Sequence, residues 1–315
     1  MKYLGLHLDC HWNFREHFRR SVPRIRAAIN SFEGLLPNIG GPRDRVRRLY
    51  MGVVGSMLLY GAPVWSQKLM ASRESLAVVQ GLQRRLAVRI TRGYRTTPYE
   101  AALAVSGSLP WELLAESYAA LYEWRTNLRQ QQLVPTPRAV RIARIQSRQL
   151  IFEKWKERLA QVRVGLRAVG VIHPVLEEWV DRRPNGLPFR AVQVLTGHGC
   201  FGEYLHEKAK REPTTRCHHC TEVRDTAQHT LQYCPAWAVQ RRVLCNVVGE
   251  DLSLPALVAA MVRDENAWGA MVSFCENVML QKEAAERVRE DDPSSDPIRR
   301  RRGGARRRAY AQLPL

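Results

Sequence analysis

Leu4, Leu6 and Leu8 alternate with other residue types along positions 3–9, a period of two that predicts one half-buried strand near the amino terminus. Beyond it the period lengthens to that of helices. After Gly40-Gly41-Pro42, with proline where the first turn of a helix tolerates one, Val46, Leu49, Tyr50, Val53, Met57 and Tyr60 form an expected buried stripe. Arg43, Arg45, Arg47 and Arg48 stay off that stripe. Val79, Leu82, Leu86 and Ile90 repeat the pattern, flanked by Arg84, Arg85, Arg89 and Arg92, with Gly93 as the expected stop. Further helical runs read at about 14–34, 111–131 and 138–164, the last two separated by Pro135 and Pro137. The expected fold class is mainly α, with a short amino-terminal strand.

The run over 138–164 contains a conflict. A straight helix puts Arg144 and Arg148 on the same face as Trp155 and Leu159, and one face cannot meet both solvent and core. Either the helix projects beyond its core, so that its early turns meet water or phosphate, or it bends near positions 147–149.

Charge changes the picture from fold to partner. The 315 residues carry 49 Lys+Arg against 30 Asp+Glu, a formal net charge of +19, which points to a polyanion and first of all to nucleic acid. The surplus is uneven: residues 1–50 hold ten basic and four acidic groups, and residues 299–315 hold seven arginines and no acid. Those arginines are Arg299, Arg300, Arg301, Arg302, Arg306, Arg307 and Arg308, beyond the turn-rich segment 291–297, and a disordered basic tail is expected there. The longest apolar stretch, 53–65, is broken by Gly55, Ser56, Gly61 and Pro63, so no membrane partner is expected. No secretory leader pattern opens the chain, and seven cysteines, an odd number, fit a reducing compartment.

The strongest chemical signal is CxxC-x8-HxxxxC, made by Cys217, Cys220, His229 and Cys234. Three thiolates and one imidazole complete a tetrahedral Zn²⁺ shell, which leaves no position for an activated water and so implies a structural ion. His218 or His219 could stand in for His229, although simultaneous coordination with the flanking thiols is sterically poor. Cys10, Cys245 and Cys275 are expected to be buried small hydrophobes. The acids Glu283, Glu286, Glu290, Asp291, Asp292 and Asp296, interleaved with Arg287 and Arg289, are expected at a solvated helix end. No carboxylate cluster suited to paired metal ions stands out, nor does GxxxxGK[ST], HExxH or GxSxG.

Four stretches together resemble one family. KYLGLHLD at the start, the segments 35–65 and 83–115, and LTGHGCFGEYL at 195–205 followed by CHHC and DTAQHTLQYCPAW are similar, in that order, to the reverse transcriptase polyprotein of non-LTR retrotransposons. They resemble especially the arthropod type-1 elements that insert into ribosomal RNA genes. The resemblance implies an RNA-directed DNA polymerase in which Tyr3, Leu4 and Gly5 lie near the primer terminus. It implies that the segments 35–65 and 83–115 belong to a thumb and the helical region beyond it, and that Cys217, Cys220, His229 and Cys234 hold zinc.

The family's catalytic aspartates and their Mg²⁺ ions belong to a palm upstream of KYLG, so this chain alone is expected not to polymerise DNA. Implied partners are template RNA, the DNA target and primer, and the upstream palm and fingers; the implied location is the nucleus, after a cytoplasmic ribonucleoprotein stage. The expected organisation is the end of the palm at 1–12, a thumb and following helices at 13–134, a connector at 135–194, a zinc module at 195–250, further helices at 251–290 and the tail at 291–315. A free-standing zinc-dependent nucleic-acid adaptor is the alternative.

Overall fold

The computed structural model describes residues 1–182 and 186–299. The amino-terminal alternation forms a hairpin, not one strand. β1 (Lys2–Tyr3) pairs antiparallel with β2 (Leu6–His7), Tyr3 opposite Leu6. Leu4 and Gly5 both have positive φ, 44° and 85°, the pairing a two-residue type I′ turn demands. Leu6 is buried while Leu4 stands exposed at the tip, because reversing the chain takes the two leucines out of a common face. A side chain at Gly5 would also come within 3.0 Å of the Tyr60 ring.

Every other regular element among the described residues is helical. Asp9 accepts the backbone N–H groups of His11, Asn13 and Phe14, setting the entry to α1 (Arg15–Glu33). α2 (Asp44–Leu59) and α3 (Ala62–Ala71) meet at an 86° bend, and α4 (Arg73–Ile90) starts from Ser72, whose hydroxyl accepts the N–H of Ser75. Phe18 and Ile25 of α1, Val54 and Leu58 of α2, Trp65 of α3 and Val79, Leu82 and Leu86 of α4 form one apolar cluster. α4 thus buries the stripe that its period predicts. Its left-handed terminal residue is Arg92, at φ 59°, while Gly93 donates back to the carbonyl of Val88.

α2 departs from expectation. Val46, Leu49, Val53 and Tyr60 are exposed, and the buried positions are Arg47, Val54, Gly55 and Leu58. The buried face is offset from the apolar stripe because Arg47 is itself enclosed. Its guanidinium donates to the carbonyls of Pro42 and Pro37 and of Arg89, at 3.1, 2.5 and 2.8 Å, tying the 37–42 loop to the end of α4. Burial lowers its pKa to about 10, which still leaves it protonated at neutral pH. Arg47→Met should therefore lower unfolding stability by about 3 kcal/mol, since several buried carbonyls lose their donor. Urea titration measures this loss, and the salt dependence of nucleic-acid binding should not change.

The second apolar cluster joins α5 (Tyr99–Ser106) to the helices that follow: α6 (Trp111–Gln130), α7 (Pro137–Ala160), α8 (Leu166–Ile172), α9 (Leu176–Asp181), α10 (Phe189–Thr196), α11 (Gly202–Glu207), α12 (Ala238–Val248), α13 (Leu254–Arg263) and α14 (Glu265–Asp291). Cys217, Leu231, Cys234 and Trp237 belong to this same cluster. Between α6 and α7, Ser117 faces Ser147, Glu116 pairs with Lys154 and Glu112 with Arg158, so the two helices run antiparallel. α7 is continuous, and its conflict is resolved by projection. Arg138, Arg141 and Arg144 are exposed, whereas Ile151, Phe152, Trp155 and Leu159, further along, are buried. No single described helix is long and apolar enough to cross a membrane.

Candidate metal centre and basic surfaces

The metal-ligand candidates converge. One ligand atom from each of Cys217, Cys220, His229 and Cys234 lies within 4.8 Å of the other three. The Sγ atoms of Cys217 and Cys234 are 4.0 Å apart, and Cys220 Sγ is 3.3 Å from His229 Nε2. With Zn–S bonds of ~2.3 Å, the edge of a tetrahedral shell is roughly 3.8 Å, so the set could hold a zinc ion.

Local hydrogen bonds shape each half. Cys217 N–H donates to the carbonyl of Glu222 at 2.9 Å, closing the knuckle, and His219 N–H points at Cys217 Sγ. His229 and Cys234 are five residues apart, a spacing that would place them well round an α-helix from each other. Residues His229–Tyr233 instead form a π-turn, in which Cys234 N–H donates to the carbonyl of His229 at 2.8 Å. The wider turn brings both ligands to one side. Burial pushes the Cys217 thiol up to about 12 and raises that of Cys234, and it lowers His229 below its ordinary value. The protein alone therefore favours neutral thiols, and a metal must displace protons to bind.

His218 and His219 stand outside the ligand set. His218 lies 3.4 Å from Glu212, and the His219 ring packs against Trp237. Of the remaining cysteines, Cys275 is buried and Cys245 half-buried, whereas Cys10 is exposed on the loop leading to α1, contrary to expectation.

Asp291, Asp292 and Asp296 are exposed, as expected of a solvated helix end, but Glu283, Glu286 and Glu290 before them on α14 are not. Glu283 and Glu286 are buried, the first paired with Arg190 at 2.7 Å and the second 2.6 Å from Cys200 Sγ. One turn earlier, Lys282 Nζ donates to both carboxylate oxygens of Asp225, at 3.0 and 2.8 Å, and to Thr230 at 3.1 Å, while facing the Phe201 ring. Asp225 also accepts the N–H of Gly202, where the knuckle backbone passes so closely that a side chain would meet two carbonyls at 2.6 Å. The pair thus fastens α14 and α11 to the segment carrying the metal ligands, in the manner of groups that orient a metal site from behind. Sequence reasoning missed it. Its signal is that the spacing of Met271, Cys275, Val278 and Met279 continues through Lys282, Glu283 and Glu286, so the buried stripe runs on into charged residues.

Those of the expected phosphate-binding arginines that are described fall into two groups. Arg43 and Arg45 are exposed, and Arg48 lines a cleft of about 540 Å³ between α2 and α6. The other described ones already have protein partners. Arg47 is enclosed, with no surface to offer a phosphate; Arg84 donates to the carbonyls of Thr97 and Arg95; Arg85 and Arg89 face Glu33; and Arg92 pairs with Asp44. Arg299 binds the buried Glu212 at 2.9 Å, and Arg300, Arg301, Arg302, Arg306, Arg307 and Arg308 lie outside the described residues. Tyr3, Leu4 and Gly5 form the exposed hairpin tip, held by a 2.9 Å hydrogen bond from the Tyr60 hydroxyl to the Leu4 carbonyl. Beside it Lys2, His7, Arg20 and Arg24 line a second cleft of about 450 Å³.

A Retrovirus-related Pol polyprotein from type-1 retrotransposable element R1 4 of Nasonia vitripennis is 24% identical over 284 residues, which is 87% of this chain and 70% of that protein. The Putative 115 kDa protein in type-1 retrotransposable element R1DM of Drosophila melanogaster is 25% identical over 294 residues, 90% of this chain but 28% of that protein. The chain is similar to R1 retrotransposon Pol polyproteins along most of its length. A corresponding R1 polyprotein of Bradysia coprophila matches 75% of the chain at 26% identity, again over only 24% of its own length. No family model matches the chain, and no solved structure matches it with significance.

Proposed function

We propose that the chain is the carboxy-terminal part of an RNA-directed DNA polymerase of an R1-like non-LTR retrotransposon, gripping template RNA and the primer duplex during target-primed reverse transcription in the nucleus. The observation that carries this reading is the similarity to R1 Pol polyproteins over as much as 87% of the chain. The +19 charge and the Cys3His cluster agree with it. In this reading residues 1–12 close the palm, 13–134 are the thumb and the helices following it, and the segment 195–250 is the zinc module. Tyr3, Leu4 and Gly5 face the primer end. Zinc supplies a rigid cross-link and no chemistry, and polymerisation requires the palm's own carboxylates and Mg²⁺.

Phosphate contacts dominate affinity in such a protein, so binding of a primed RNA template should weaken steeply with salt and vary little with sequence. Removing residues 300–315, which spares the Arg299–Glu212 pair, should flatten the salt slope without abolishing binding. Fluorescence anisotropy at several salt concentrations measures both. A chain that fails to bind primed template at moderate salt would overturn the reading.

A further inference from the structure

Outside the residues considered so far, α6 carries an unusual stripe. Tyr118, Tyr122, Arg125 and Arg129 recur at intervals of four, three and four residues, which places them along one helix face for roughly 16 Å. All four are exposed, Tyr118 by 42% and Tyr122 by 57%. Among the described residues neither tyrosine makes a side-chain hydrogen bond or ring contact, and neither arginine makes an ion pair. Across the 131–136 connection Arg138, Arg141 and Arg144 on the projecting half of α7 are likewise exposed and unpaired among the described residues. Positions 118–148 contain six arginines and one acid, Glu123, which lies off the stripe. A core-facing role is excluded by exposure, and a merely solvated face has no need of two bare aromatic rings in line with arginines.

The stripe runs into the first cleft at its foot. Tyr118 lines that cleft together with Arg48, Ser56, Tyr60, Ser108 and Trp111. Ser56 and Tyr60 also line the second cleft, with Lys2, Arg20 and Arg24, so the two clefts meet at Tyr60, under the hairpin tip that its hydroxyl holds. Rings and cations therefore line one path from Arg24 past Tyr60, Arg48, Tyr118 and Tyr122 to Arg125 and Arg129.

We propose that this face of α6 and the clefts at its foot form a track for single-stranded RNA, a proposal that rests on the nucleic-acid reading above and specifies its ligand. Tyrosine faces stack unpaired bases, and arginines at the next turns take the backbone; a duplex hides the faces of its bases and cannot use the rings. RNA is favoured over DNA because the Ser56 and Ser108 hydroxyls in the cleft can accept a hydrogen from a 2′-OH.

The test uses the full chain, a labelled 12-nucleotide RNA of mixed sequence, the same RNA as a duplex and the matching DNA strand, with anisotropy read over a salt series. Tyr118→Leu with Tyr122→Leu keeps apolar bulk but removes the π faces. It should weaken single-stranded RNA binding about tenfold or more while leaving the salt slope and the duplex affinity unchanged. Tyr118→Phe with Tyr122→Phe should bind like the wild type. Arg125→Gln with Arg129→Gln should flatten the single-strand slope by about 1.4. Circular dichroism verifies folding of each variant, and the arginine pair decides the matter if the leucine pair does not fold. Wild-type RNA affinity in the leucine pair, or an unchanged slope in the arginine pair, would overturn the track; equal affinity for DNA would overturn its assignment to RNA. A wild-type chain that binds duplex but not the single strand also overturns the track and leaves the proposed function standing, whereas one that binds neither overturns both.

Discussion

Lys282→Met is expected to lower the unfolding free energy by about 3–5 kcal/mol, because it strands a buried carboxylate without its counter-ion. Asp225 is 2% exposed and Lys282 1%, so water cannot replace the lost ammonium. The remaining donors to Asp225, the N–H of Gly202 and the more distant Thr230 hydroxyl, are neutral and cannot compensate a full charge. The loss should appear as a shift in the urea midpoint. Asp225→Asn combined with Lys282→Met should cost less than the sum of the two single changes, since the double variant buries no unpaired charge. A strictly additive pair, or a Lys282→Met chain as stable as the wild type, would show that the contact does not hold α14 to the knuckle.

Loss of the metal should have a larger local effect. Protein purified without chelator is expected to contain one zinc per chain, and Cys234→Ala or Cys220→Ala to lose it, with protease cleavage appearing at about 217–237. Folding and metal binding are one equilibrium in such a segment, and apparent zinc affinities in isolated zinc-finger peptides correspond to about 10–16 kcal/mol. Because burial favours the protonated thiols of Cys217 and Cys234, zinc retention should weaken as pH falls and more protons compete for each sulfur. Metal analysis across pH 5 to 8 checks the direction. Cys234 also sits in the larger apolar cluster, so its loss should lower the melting temperature of the whole cluster, not only of the knuckle. A metal content well below one per chain, or cysteine variants as protease-resistant as the wild type, would refute this.

How much of this was legible beforehand depended on whether local spacing or distant packing decided each position. The stripe of α4 and the helix boundaries at α1, α6 and α7 follow from spacing alone, and so does the metal-ligand set, whose members fall within eighteen residues. The hairpin was hidden because leucine at φ 44° is a poor turn signal; only Gly5 marks the reversal. The buried face of α2 was misplaced because an arginine there answers carbonyls from α4, forty-two residues away, and period analysis treats every arginine as surface. The same rule hid Lys282 and Glu283, whose burial is set by Asp225 and Arg190 on other elements. Arginines of α4 that looked like a phosphate grip meet Glu33 and local carbonyls, partners that no short-range pattern contains.

The separation between Asp225 and Lys282 also sets an order of assembly. The four metal ligands lie close together in the chain, whereas the lysine that secures their platform follows Asp225 by fifty-seven residues. At ~5–20 residues per second of synthesis, roughly 3–11 s pass between the two on the ribosome. If the knuckle binds zinc, the nascent chain would have seconds in which to take the ion up before α14 can dock and while the ligands remain open to water. Docking of α14 then encloses the four candidate ligands, so a zinc ion offered only after release would meet a stiffer, more enclosed set of thiols than the chain exposes during synthesis.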